Sequence, residues 1–135
     1  MQKMTNNPRL KNINGLFRKT LVIALFLSAM ALTSYAQSGT LYEVRSNYRF
    51  GTITAYQSVW RIDLGNGGEI KIYSCWRISA TGLGCVFTQF KNGRVTYSGQ
   101  AQVYQSGAVN LRWMYEFNGN QQRQINGGWN YYQVR

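Results

Sequence analysis

Phe90-Lys-Asn-Gly-Arg-Val-Thr-Tyr-Ser-Gly99 is the stretch from which the fold can be read. Its centre, Asn92-Gly93, readily takes the two positive φ angles of a type I′ turn, whose twist suits a two-residue β-hairpin. A hairpin closed there sets Phe90 opposite Val95 and Thr88 opposite Tyr97. Downstream, a three-residue loop at Gln105-Ser-Gly107 sets Val103 against Val109, Ala101 against Leu111, Gly99 against Trp113 and Tyr97 against Tyr115. The reverse face then pairs Gln102 with Asn110 and Gln100 with Arg112. A slip of one residue turns every side chain to the other face, so a run of matched apolar pairs is a strong constraint on register.

Upstream, a loop at Ser79-Ala-Thr81 places Cys75 opposite Cys85, Trp76 over Gly84 and Tyr73 beside Phe87. Directly opposed residues on paired strands are close enough for a disulfide. Closing so short a loop stabilises the fold by about 3 kcal/mol in the chain-entropy view. Further upstream, Trp60, Ile62 and Leu64 face the same way as Ile70 and Ile72, with Arg61, Asp63 and Lys71 on the other side. Turn signals recur at Gly65–Gly68, Ser79–Gly82, Asn118–Asn120 and Asn126–Gly128, between runs rich in β-branched and aromatic residues. The expectation is an all-β, antiparallel up-and-down meander of about seven or eight strands closing as a small barrel, with a β-sandwich as the alternative. Thr40 to Gln57 alternate less cleanly, and alternation does not fix their register.

The first part of the chain has a different character. Lys3, Arg9, Lys11, Arg18 and Lys19 stand with no acid among them, followed by the uncharged, mostly apolar run Leu21–Thr33 and then Ser34-Tyr35-Ala36. A basic segment, a short apolar segment and a small-x-small site are the three parts of a secretory signal. A membrane-spanning helix needs about 20 apolar residues, and this run is shorter. The sequence therefore predicts a signal peptide over residues 1–36, cleaved after Ala36. A single domain over residues 37–135 would follow, secreted or periplasmic, with no transmembrane segment of its own. An oxidising compartment agrees with Cys75 and Cys85 forming a disulfide.

The composition narrows the chemistry. The full chain has 15 basic and 4 acidic residues, a net charge of +11 and no histidine. The commonest general base and metal ligand is absent, which argues against a metal site and a cofactor and in favour of binding without catalysis. Of the carboxylates, Asp63 and Glu69 flank one hairpin. A glycoside-directed enzyme needs two converging carboxylates, and one using Asp63 and Glu69 is a further alternative.

After Ala36, eight arginines accompany only Lys71 and Lys91. Guanidinium groups hold carboxylate, sulfate and phosphate through paired donors. Alternation assigns Arg61, Lys71, Arg77 and Arg112 to an outer face, with Tyr73, Phe87 and Leu83 forming an apolar patch around the disulfide. The expected ligand is a glycan or an anionic cell-envelope component, contacted by Arg61, Lys71, Tyr73, Arg77, Phe87 and Arg112. A protein-interaction, inhibitor or surface-assembly module is the rival reading. Nucleic acid is disfavoured by secretion and by the lack of any nucleic-acid motif. Trp60, Trp76 and Trp113 all fall on the expected inner face, as core residues or as the lining of a ligand cavity.

Overall fold

The computed structural model describes residues 35–135, and all regular structure within them is β. Most of the expected signal segment lies outside the described residues. Nine strands follow one another: β1 (Gly39–Glu43), β2 (Arg49–Tyr56), β3 (Val59–Gly65), β4 (Gly68–Ser79), β5 (Gly82–Lys91), β6 (Arg94–Tyr104), β7 (Ala108–Asn118), β8 (Gln121–Gln124) and β9 (Asn130–Val134). Strands β1 to β7 pair in order, each antiparallel to the next. Closure comes through β9, which lies between β7 and β1. The result is a closed eight-stranded antiparallel barrel, with β8 as an additional strand. The first half of β7 pairs with β9 and its second half, Tyr115–Asn118, pairs with β8.

The turns use the chemistry their sequences suggest. Asn92 and Gly93 take φ angles of 50° and 78°, the type I′ geometry. Asn66 and Gly67 do the same between β3 and β4, at 51° and 80°. The β6–β7 register matches expectation from Val103–Val109 through Ala101–Leu111 to Gly99–Trp113, and on the reverse face at Gln102–Asn110 and Gln100–Arg112. Beyond Gly99 it shifts by one, so that Tyr97 faces Glu116 and Ser98 faces Tyr115. Strands β3 and β4 pair Trp60 with Ile72 and Ile62 with Ile70, as the alternation requires.

The faces of β5 are reversed from expectation, and two β-bulges are the reason. Between β4 and β5 the register passes from Tyr73–Val86 to Trp76–Gly84, so β4 holds one residue more than β5 there. Ser74, in this bulge, has a left-handed φ of 51°. Between β5 and β6 the register passes from Phe90–Val95 to Gln89–Tyr97, which leaves Thr96 as the extra residue. Thr88 consequently faces Ser98 rather than Tyr97. A bulge inserts one residue and re-aims the strand beside it. With one on each side, Leu83, Cys85 and Phe87 turn inward and Trp76 turns outward.

The interior is packed with Leu41, Ile53, Trp60, Ile62, Ile70, Ile72, Leu83, Cys85, Phe87, Ala101, Val103, Val109, Leu111 and Tyr132. Trp113 packs against this cluster and meets Phe87 edge to face at 5.4 Å between ring centroids. Its indole N–H donates to Gln89 Oε1 at 2.7 Å. Trp60 and Trp113 are therefore packing residues, and Trp76 is not part of the core. Cys75 and Cys85 form the expected disulfide. Burial raises the Tyr132 hydroxyl to a pKa of about 12, with the negative charge of Glu43, its register partner across β1 and β9, adding to the effect.

The chain leading into β1 runs across one end of the barrel. Ser38 Oγ accepts from the Ala55 N–H of β2 at 2.9 Å, and the Ala36 N–H donates to the Tyr104 carbonyl of β6 at 3.3 Å. Between these two anchors the Trp60 indole N–H donates to the Ala36 carbonyl at 2.9 Å.

Candidate functional site

On the outer wall, β3 and β4 carry three of the expected contact residues side by side, with β5 next to them. Arg61 and Lys71 are register partners, and Lys71 is in turn paired with Thr88 of β5. Tyr73 follows Lys71 by two residues on the same face, where its hydroxyl and Thr88 Oγ1 share a hydrogen bond of 2.7 Å. The Lys71 ammonium lies 5.4 Å from the centroid of the Phe90 ring, a cation–π distance. Arg61 donates to Glu69 Oε1 at 2.6 Å, with its side chain 62% exposed. That contact belongs to the hairpin surface, where an exposed ion pair contributes at most about 1 kcal/mol.

The other three expected contacts are elsewhere. Phe87 is 1% exposed and lies in the core, because the paired bulges turn β5 over. It is not on the outer face, and neither is Leu83, so the expected apolar patch around the disulfide does not form. Arg77 is paired with the inward-facing Leu83 and so stands on the inner side of β4 where that strand runs out to the end of the barrel. Arg112 is on the outer face as expected, but Tyr73, Val86, Gln100 and Arg112 step across four strands. At about 4.8 Å per strand, Arg112 lies about 14 Å from Tyr73. Its Nε also donates to the Gly127 carbonyl at 3.0 Å, which ties down the return segment before β9.

The structure adds Thr52, Thr54, Tyr56 and Val59, which alternation did not single out. The outer faces of β2 and β3 and the Gly65–Gly68 turn enclose an open groove of about 830 Å³, lined by Thr52, Thr54, Tyr56, Val59, Arg61, Asp63 and Glu69 together with the turn. Tyr56 is 69% exposed there. Asp63 and Glu69 are register partners, so their carboxylates leave neighbouring positions of the sheet. Each has a local partner: Asp63 Oδ1 accepts the Gly65 N–H at 2.8 Å, and Glu69 holds Arg61. The groove thus offers one aromatic ring, two threonine hydroxyls, a guanidinium and two carboxylates.

Farther along β4, Trp76 is 49% exposed and its indole covers Gly84, where a Cβ would come within 2.7 Å of the ring. Ile78 stands beside it and is also exposed. Of the aromatics in the last strand, Tyr131 is exposed and Tyr132 is buried. Fold and surface together define the class: a small closed antiparallel barrel with a filled interior and a polar groove on its outer wall. Comparison with protein-family models, with curated proteins and with solved structures found no match to this chain.

Proposed function

We propose that this is a secreted or periplasmic binding protein without catalytic activity, and that it takes a glycan in the groove on the outer wall of β2 and β3. The observation that carries the reading is the grouping of Tyr56 with Thr52, Thr54, Arg61, Asp63 and Glu69 around one concavity. An exposed ring stacks on the apolar face of a sugar, while hydroxyl, guanidinium and carboxylate groups around it satisfy sugar hydroxyls in both directions. The mix of one cation with two anions suits a hydroxyl-rich ligand. An anionic envelope component gains less here, since the Arg61 guanidinium already has Glu69 as its partner. Lys71 and Tyr73, continuous with Arg61 on the same wall, extend the face toward an acidic substituent if the glycan carries one.

The test is binding of the secreted protein to neutral and anionic glycans at low and high salt. Retention of a neutral glycan in high salt is expected. Tyr56→Ala should lower its affinity about tenfold, since a stacking contact is worth about 1 kcal/mol or slightly more. Failure to bind any glycan, or full affinity in Tyr56→Ala, would remove the groove as the site. The rival, a protein-interaction or assembly module, draws on a separate observation, the exposed Trp76 and Ile78 on β4. Salt-insensitive self-association abolished by Trp76→Ser would favour it.

A further inference from the structure

One end of the barrel is closed by residues that the sequence assigns to the cleaved leader. Tyr35 and Ala36 are 2% and 1% exposed and belong to the same buried cluster as Trp60, Leu83, Cys85 and Val103. Ala36 is held through both of its backbone groups, its N–H on the Tyr104 carbonyl and its carbonyl on the Trp60 indole N–H. Tyr35 is less well accommodated, because its hydroxyl is buried without a hydrogen-bond partner. A buried hydroxyl left unsatisfied is costly, and a phenyl ring of the same shape avoids that cost. These same residues form the small-x-small site that a signal peptidase reads. They cannot both leave with the signal and remain in the core.

We propose that cleavage after Ala36 opens a peptide-binding pocket at this end of the barrel, and that its ligand is an extended peptide with an aromatic residue followed by a small one. Release of Tyr35 and Ala36 withdraws the acceptor from the Trp60 indole and the donor from the Tyr104 carbonyl. Both groups are then left at the edge of a space with apolar walls. Donors and acceptors fixed by a rigid sheet around an apolar pocket are preorganised for a ligand that matches them. A single peptide residue supplies both complements, since one N–H and one C=O of the same residue reach Tyr104 and Trp60. The aromatic side chain just before it fills the space that Tyr35 vacates. The Tyr35 hydroxyl, buried without a partner, makes phenylalanine the better occupant. This inference concerns the barrel end and does not depend on the outer groove or its ligand.

The experiment uses the secreted, processed protein, with its N-terminus read by mass spectrometry. The probes are N-acetyl-Phe-Ala-amide, N-acetyl-Tyr-Ala-amide and N-acetyl-Ala-Ala-amide. The Trp60 indole N–H, followed by NMR, should shift and become protected from exchange on adding the phenylalanine probe. That probe should bind about tenfold more tightly than the tyrosine probe, the fold-change for sparing an unsatisfied buried hydroxyl. The alanine probe should not bind. Trp60→Phe should weaken the phenylalanine probe about fivefold with an unchanged β circular dichroism spectrum, through loss of one hydrogen bond. A secreted protein that still begins upstream of Tyr35 would overturn the proposal, since the core would keep its own plug. So would a Trp60 resonance unmoved by millimolar probe, or a tyrosine probe at least as tight as the phenylalanine one.

Discussion

The β6–β7 and β4–β5 hairpins are built from similar residues, yet they organise the barrel in opposite ways. Along β6 and β7 the ladder runs without interruption from Val103–Val109 to Gly99–Trp113, and one face stays inward throughout. Gly99 allows the closest part of this approach, since a Cβ there would run into the Arg112 carbonyl. Along β4 and β5 the ladder breaks between Tyr73 and Trp76, and residues of β4 beyond the break change face. The regular hairpin makes wall. The interrupted one moves a tryptophan from the inside to the outside and brings a disulfide, Leu83 and Phe87 to the inside. In a barrel this small, the bulges decide which side chains are core and which are surface.

The largest expected effect tests that assignment directly. Phe87→Ala should cost about 3–5 kcal/mol of unfolding free energy, the range for deleting a buried aromatic ring. Trp76→Ala, on the outer side of the same hairpin, should cost about 1 kcal/mol or less, because half of the ring is already in water. Urea unfolding of the two variants measures both. Equal losses, or a larger loss for Trp76→Ala, would mean that β5 presents its other face to the core.

That contrast also explains what the amino-acid sequence makes legible. Alternation tells which residues share a face along an unbroken strand, and it succeeds for β3, the first part of β4, the second part of β6 and the first part of β7. It carries no mark for a bulge when the extra residues are Ser74 and Thr96. A glycine at position 74 would have been a hint, since the φ there is left-handed. The apolar odd positions of β5, Leu83, Cys85 and Phe87, were the available signal for its true inner face. The candidate site divides along the same line. Arg61, Lys71 and Tyr73 precede the bulge and come together as expected, whereas Arg77 lies beyond it and Phe87 is opposite Ile72 on the reversed strand. The groove residues Thr52, Thr54 and Tyr56 come from a strand whose inner positions include Gly51 and Ala55. Gly51 packs so closely on β3 that a Cβ would lie 2.5 Å from the Asp63 carbonyl. Small inward residues blur an apolar alternation, and so the register of β2 was not readable.

A smaller effect is expected at the seam, where the regular side of the barrel is continued by β9. Tyr132 is paired with Val109 of β7 and Glu43 of β1, and its pKa is raised from 10 to about 12 by burial and by Glu43. The folded state therefore keeps the proton that the unfolded chain releases. The stability present below pH 10 falls as the pH rises from about 10 toward 12, by an amount on the order of 2 kcal/mol. Tyr132→Phe should remove this part of the alkaline loss. A denaturation midpoint measured between pH 9 and 12 that falls equally in both proteins would place the loss at other groups.

The smallest effect returns to the bulge itself. Ser74 is exposed and holds a left-handed backbone at φ 51°, a conformation costing an L-residue about 1–2 kcal/mol and glycine almost nothing. Ser74→Gly should therefore raise the unfolding free energy. The gain is offset by the greater freedom of glycine in the unfolded chain, so a net of about 0.5–1 kcal/mol is expected. Ser74→Val, with a β-branched side chain at the same φ, should move stability the other way by a similar amount or more. Loss of stability in Ser74→Gly would show that the bulge is not fixed by its backbone angle. The register would then depend on the Cys75–Cys85 bridge next to it, and reduction of that bridge would let Trp76 exchange between the outer wall and the core.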